Sequence, residues 1–225
     1  MTLLQSLRGG LIVSVQACSG SVLNTPESIA LLARCAVQNG AVAVRIEGLD
    51  RIRAVRAAVN VPIVGIIKRE IRGFEPYITP TEDDVAAVAA AGSSIVAFDA
   101  TRRLHPAGAT VAGLVAACGR AGVIAMADCA DAEDAREAAA AGAPIVASTL
   151  AGYTAATRGR ALPALDLVTT IGTLGVFAVA EGGIGTPDDA RSAFASGADA
   201  IVVGTAITNV DALVQNFFAA TPSAR

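Results

Sequence analysis

Tryptophan is absent from this chain, and aromatic residues of all kinds make up only 4% of it. A core must therefore be built from Val, Ile, Leu and Ala, which dominate an apolar content of 53%. Histidine occurs once, as His105 beside Pro106 in a polar stretch, so a His-based metal site is excluded by count. His105 is expected at the surface rather than in catalysis, and no metal is expected. The four cysteines, Cys18, Cys35, Cys118 and Cys129, have no CxxC spacing and read as small buried or half-buried residues in a reducing compartment. No apolar run reaches the ~18–20 residues of a membrane span. The N-terminal MTLLQSLRGG places Arg8 where a signal peptide needs apolar continuity, so a cytoplasmic location is expected. Net charge is −3 with basic residues scattered, which points away from nucleic acid and from membrane surfaces.

What the chain has in abundance is a repeated pattern. Eight short runs rich in Val, Ile and Ala recur, at 11–17, 41–46, 61–68, 94–100, 123–128, 144–149, 176–181 and 200–204. Between them lie segments with helical spacing, several opened by Thr or Asp with acids in the first turn and closed by Gly. Strand–helix alternation with strands apolar on both faces predicts a parallel sheet. Eight units in 225 residues fit a (β/α)8 TIM barrel, α/β in class. A doubly wound open sheet is the alternative, but it normally carries a glycine fingerprint after its first strand, where this chain has Ala17-Cys18-Ser19-Gly20. With no linker or low-complexity segment, residues 1–225 read as one domain.

Two glycine turns stand near the C-terminus, AEGGIGTP (180–187) and VVGTAIT (202–208). Each follows a strand-like run and opens a helical pattern, at Thr186-Pro187 and at Thr208. Glycine allows close backbone approach, and helix starts aim free N–H groups at the same space. Either turn alone is an ordinary βα connection; the pair predicts a phosphate site at Gly182, Gly183, Gly204 and Thr205, where barrels bind phosphate after strands seven and eight. The C-terminal ends of the eight runs read Gln16, Arg45, Lys68, Asp99, Asp128, Thr149, Glu181 and Gly204-Thr205. In a barrel these positions form the active-site rim. A ring of mutually satisfied charges is the purely structural alternative, yet burying charges at nearly every strand end costs several kcal/mol unless they pair. Two cations and three carboxylates crowded together would push their pKa values apart, giving an acid and a base at neutral pH. Lys68 closes the apolar run VGIIK and suits either proton transfer beside a carbonyl or Schiff-base chemistry. Sugar-phosphate isomerase, epimerase and aldolase remain open on these residues.

The segments LIVSVQA, VPIVGIIKR, PYITPT, FDATRR, MAD, STLAGYT, AEG and VVGTAIT, in this order from Leu11 to about Phe218, resemble the bacterial N-acetylmannosamine-6-phosphate 2-epimerase family. The resemblance implies a (β/α)8 barrel that inverts C2 of an amino-sugar phosphate without a cofactor. It implies a catalytic role for Lys68, with Glu181 as its partnering acid and Asp128 assisting charge. Lys68 is expected as base with Glu181 hydrogen-bonded to it. The second acid is expected to be Asp128, or Glu181 itself if it faces the substrate, and rotation of the intermediate is the alternative to a second acid. Gln16, Arg45, Asp99 and Thr149 would hold the sugar, and Tyr153 would close over it. Members of the family often carry a basic residue after AEG and an arginine after AIT, where this chain has Gly183 and Asn209. The phosphate is then left to backbone amides with Thr205 or Thr208. Another phosphorylated carbonyl substrate, or a non-catalytic sugar-phosphate-binding barrel, is the competing expectation. The Ala-rich helices allow a homodimer.

Overall fold

The computed structural model describes residues 2–222. After the short helix α1 (Leu3–Leu7) the chain alternates strands and helices: β1 (Gly10–Val15), α2 (Pro26–Gln38), β2 (Ala43–Glu47), α3 (Leu49–Ala58), β3 (Ile63–Ile66), α4 (Glu82–Ala90), β4 (Ile95–Asp99) and α5 (Val111–Arg120). There follow β5 (Ile124–Asp128), α6 (Ala132–Ala140), β6 (Ile145–Ala147), α7 (Leu165–Gly172), β7 (Phe177–Glu181), α8 (Pro187–Ala195), β8 (Ala200–Val203), α9 (Thr205–Thr208) and α10 (Val210–Ala219). The eight strands form a closed barrel in sequence order. All pairs are parallel, and β1 closes the ring against β8 through Gly10–Val13 and Ala200–Val203.

Strand periodicity sorts the side chains into two sets. Val13, Val44, Val96, Phe98 and Val146 point outward and pack on Ile29, Ile52, Val88, Leu114 and Leu167 of the surrounding helices. The alternate residues Ile12, Val64, Ile95, Met126, Ile145, Phe177 and Val202 fill the interior, and Leu7 of α1 joins them. Continuing the same two-residue step upward puts Asp99, Asp128 and Glu181 at the C-terminal ends of their strands. Arg45, expected at a strand end, instead sits mid-strand in β2, two residues before its last residue Glu47. Gln16, Lys68, Thr149 and Gly204 fall one or two residues past theirs. The eight runs are thus the eight strands, each strand being shorter than its run.

The helices start where the capping residues say. Thr25, Thr81, Thr110, Asp131 and Thr186 accept backbone N–H bonds from the first turns of α2, α4, α5, α6 and α8. The last connection differs from expectation. Thr208 does not open the C-terminal helix; it ends the four-residue α9, and Asn209 caps α10 by accepting from the Ala212 N–H.

Gly65 on β3 shows how tightly sheet and helix layers meet. A methyl there would overlap Ser93 Oγ and lie 2.6 Å from Val88 Cγ1. Gly65→Ala should therefore destabilise the barrel by about 1–3 kcal/mol through overpacking. The corresponding melting temperature should fall by about 2–4 °C per kcal/mol, and an unchanged value in a thermal melt would show that the layers have slack.

Candidate active site

At the C-terminal face of the barrel is a cavity of about 830 Å³. It is lined by the ends of β1, β2, β3 and β7 and by the loops after β1, β3, β6, β7 and β8. Gln16, Arg45, Lys68, Thr149, Tyr153, Glu181, Gly182, Gly183, Gly204 and Thr205 all reach it. Asp99 and Asp128 do not line it.

Arg45 is the centre of its floor. The guanidinium, 1% exposed, donates to both oxygens of Asp128 (3.2 and 2.6 Å) and to Glu181 Oε2 (3.0 Å). Thr149 Oγ1 lies 2.7 Å from Asp128 Oδ1 and 3.0 Å from Glu181 Oε2, so it bridges the same two carboxylates. Burial opposes the charge on Arg45, but Asp128 and Glu181 more than offset this and raise its pKa. Glu181 responds the other way. Burial, together with the Asp128 charge, pushes its carboxyl up to about 7 despite the pull of Arg45. Asp128 is 0% exposed and bound on both oxygens, so it serves as Arg45's counter-ion beneath the cavity rather than as a group facing it.

Lys68 is placed by its backbone. It forms an antiparallel bridge with Ile78, while the Thr79 N–H donates to the Ile67 carbonyl (2.8 Å) and Thr79 Oγ1 accepts from the Ile67 N–H (3.3 Å). Thr79 takes φ 44°, in the left-handed region that disfavours a β-branched residue. The flanking bonds hold it there, and the loop after β3 is folded back as a strap beside the lysine. The Lys68 ammonium donates to Gln16 Oε1 at 2.6 Å, and not to Glu181 as the sequence led us to expect. Glu181 is instead turned down to Arg45 and Thr149. Surrounding protein, and then the positive Arg45, lower the pKa of Lys68 from the ordinary lysine value.

Asp99, expected to hold substrate, is buried in its own loop. It accepts from Thr101 N–H (3.0 Å), Thr101 Oγ1 (2.6 Å) and Arg103 Nη2 (2.6 Å). The reason is local: DATRR carries its own partners, which turn the carboxylate away from the barrel mouth. Burial raises its pKa against the opposing Thr101 and Arg103 contacts. His105 is also not a surface residue. It is 4% exposed, with Nδ1 2.9 Å from the Arg103 carbonyl and Nε2 3.0 Å from the Asp99 carbonyl, and it fastens the same loop. Among the cysteines, Cys118 and Cys129 are buried, whereas Cys18 and Cys35 are exposed. Cys18 lies on the cavity rim, where its thiol reaches Asn209 Oδ1 at 3.4 Å.

The glycine turns explain their own composition. Gly182 and Gly183 have φ of 102° and 73°, and a side chain at Gly183 would overlap Leu162 Cβ and come within 3.2 Å of its Cα. A basic residue has no room at this position while Leu162 is where it is. Gly204 faces Ser14, whose Cβ would be 3.2 Å from a methyl there. Thr208 donates to the Ser14 carbonyl at 2.7 Å and is buried, so its hydroxyl is committed to the fold, while Thr205 stays exposed to the cavity. Tyr153 is 60% exposed, and its Cε2 lies 3.7 Å from where a Gly182 methyl would be, which sets the ring over the first turn.

Tyr77 is the cavity residue that sequence reasoning passed over. It stands in PYITPT on the strap beside Lys68, and burial, with Asp128 and Asp99 nearby, raises its phenol pKa and keeps it a donor. A lone aromatic in the segment PYITPT was the available signal.

A family model described as "Putative N-acetylmannosamine-6-phosphate epimerase" matches residues 29–223. A protein of Thermosynechococcus vestitus named putative N-acetylmannosamine-6-phosphate 2-epimerase is 46% identical over 222 residues, covering 98% of this chain and 96% of that one. A Proteus mirabilis protein of the same name is 41% identical over 210 residues, covering 93% and 89%. The solved structure of the N-acetylmannosamine-6-phosphate 2-epimerase of Clostridium perfringens superposes with a TM-score of 0.93 at 34% identity, covering 97% of this chain and 96% of that one. Fold, sequence and rim chemistry agree: the chain belongs to the N-acetylmannosamine-6-phosphate 2-epimerase family.

Proposed function

We propose that this chain inverts C2 of N-acetylmannosamine-6-phosphate to give N-acetylglucosamine-6-phosphate, with Lys68 and Glu181 moving the proton. The observation that carries this reading is the contrast within one cavity between an amine lowered in pKa and a carboxyl raised to about 7. In the open-chain sugar the C1 aldehyde acidifies the C2–H bond. Neutral Lys68 takes that proton, the C–H electrons form the C1–C2 double bond, and O1 gains negative charge. Protonated Glu181 then delivers a proton to the opposite face of C2 as the C1 carbonyl re-forms. The reverse reaction exchanges the two roles, and the pair is reset by exchange with solvent. Tyr77 is a neutral donor available to the developing charge. Asp128, the second acid expected from the sequence, is better employed in holding Arg45.

The phosphate would rest between Gly182-Gly183 and Gly204-Thr205, with backbone amides and Thr205 supplying the contacts. Gln16, Arg45 and Thr149 shape the sugar subsite, and Tyr153 covers it. The chain carries no helix, among its described residues, long and apolar enough to cross a membrane. Its composition and chemistry fit a cytoplasmic enzyme working without a cofactor. A homodimer would cover the apolar surface that Val210, Val214 and Phe217 leave exposed on α10, rather than the Ala-rich helix faces, which serve the barrel.

Lys68→Met should reduce kcat by ~10²–10⁴, the span of one acid–base group, with sugar-phosphate binding retained. The readout is deuterium entry at C2 followed by NMR in D2O; near-normal exchange would remove Lys68 from the role of base. Borohydride trapping of an adduct on Lys68 would favour the aldolase-like chemistry instead.

Glu181→Gln should separate exchange from inversion. Lys68 still removes and returns the C2 proton on one face, so recovered N-acetylmannosamine-6-phosphate gains deuterium while epimer formation is lost. The active form carries one proton on the Lys68–Glu181 pair, and Lys68 is still the more basic group. Wild-type kcat/KM should therefore rise as pH passes about 7, where the doubly protonated pair loses its first proton. That limb should be missing from the pH profile of C2 exchange in Glu181→Gln. Inversion surviving in the variant would assign both faces to Lys68 and require the intermediate to rotate.

Asn209→Arg tests the phosphate reading with two opposed effects. A new guanidinium near the second turn should lower KM for the phosphorylated substrate. Loss of the cap on α10 should cost about 0.5–2 kcal/mol in a thermal melt. A destabilised variant with unchanged KM would place the phosphate elsewhere.

A further inference from the structure

Ser14 belongs to none of the roles above, yet it stands where the two halves of the cavity meet. It lies on β1 opposite Arg45 in register, and its side chain is 3% exposed. Its Cβ packs against Gly204 of the second glycine turn, and its carbonyl accepts from the buried Thr208 hydroxyl. Its Oγ accepts a 2.7 Å hydrogen bond from Gln16 Nε2, and Gln16 Oε1 in turn accepts the 2.6 Å bond from Lys68 Nζ. The direction of this chain is set by chemistry. An ammonium has donors only, so the amide must offer it oxygen, and its NH2 group must then face an acceptor.

We propose that Ser14 is a positioning residue for the reaction: by fixing the far end of the Gln16 amide, it aims the Lys68 amine. Gln16 is the side chain to which Lys68 is hydrogen-bonded among the described residues. One N–H of Lys68 is therefore spent on an anchored oxygen, and the remaining positions on nitrogen, the lone pair of the neutral base included, are directed away from Gln16. Without Ser14 Oγ the amide is held at one end only, and the nitrogen of Lys68 samples orientations that do not address C2. The strap through Ile78 and Thr79 fixes the backbone of Lys68; the Ser14–Gln16 pair fixes its tip. The same serine touches Gly204 and Thr208, so the base and the second glycine turn share one rigid reference point.

This inference rests on Lys68 being the base, and its test is built to fail separately. In a double-mutant cycle, kcat and KM are measured for Ser14→Ala, Gln16→Ala and the pair. Ser14→Ala should lower kcat and the C2 exchange rate about tenfold, the rate equivalent of one net hydrogen bond, with KM within about twofold of wild type. In the Gln16→Ala background the same change should have no further effect on kcat. An equal fractional loss in both backgrounds, or no loss in the wild-type background, would overturn the proposal, since Ser14 would then act through packing or not at all. Ser14→Cys, of similar shape but with a weak acceptor, is read in the same way should Ser14→Ala not fold. The underlying reading is judged independently by Lys68→Met: exchange surviving there removes the base, and the role of Ser14 with it.

Discussion

A charged guanidinium buried in the floor of the barrel is the constraint on which the rest of this site depends. Two carboxylates, Asp128 and Glu181, project into the same apolar interior from β5 and β7, and both could not remain there as neighbouring anions. Arg45 reaches them from β2 and binds both. The cost of taking three charges out of water is offset only because each is hydrogen-bonded, and removal of one partner from such a group typically costs about 3–5 kcal/mol. Sharing is unequal. Asp128 takes two guanidinium contacts at 0% exposure, while Glu181 takes one and keeps a face toward the cavity. Burial of Glu181, with the Asp128 charge beside it, outweighs the single contact to Arg45 and lets the carboxyl hold a proton near neutrality.

Around this floor the two functions of the site are kept apart in space and chemistry. In the proposed reaction proton transfer falls to Lys68, just past the end of β3, and to Glu181 at the end of β7, whose pKa values are moved toward each other by burial. In the same proposal the phosphate rests on turns whose side chains have been reduced to almost nothing. Where the family resemblance leads one to expect cations, this chain has Gly183, under Leu162, and Asn209, which caps α10. Both departures thus have a structural use. The loop bearing Leu162 has taken the volume a basic side chain would need, and the last helix has gained a start signal.

Much of this was legible in the amino-acid sequence because a two-residue period carries directly into a barrel. Once Val64 and Ile66 are interior, Lys68 must follow them, and the same step leads from Val179 to Glu181. The glycine turns were legible because few other residues tolerate φ of 102° and 73° beside a packed loop. What escaped was decided by partners distant in sequence or by short-range competition. Asp99 obeys the strand period but is claimed by Thr101 and Arg103, two and four residues on. His105 looked solvated because its neighbours are polar, yet its ring nitrogens are buried against the Arg103 and Asp99 carbonyls. The partner of Lys68 was misjudged because charge alone favours Glu181 over Gln16; the geometry of Arg45, 136 residues from Glu181 in sequence, settles it.

The central claim is that this buried environment holds the Glu181 carboxyl at a proton affinity far above that of an ordinary glutamate. It can be measured without substrate, by 13C NMR titration of labelled glutamate side-chain carboxyl carbons, with the Glu181 signal assigned by its absence in Glu181→Gln. A midpoint near 7 is the predicted result. A midpoint at the ordinary value of 4.5 would show that Arg45 neutralises Glu181 fully, and would contradict its role as the second proton-transfer group.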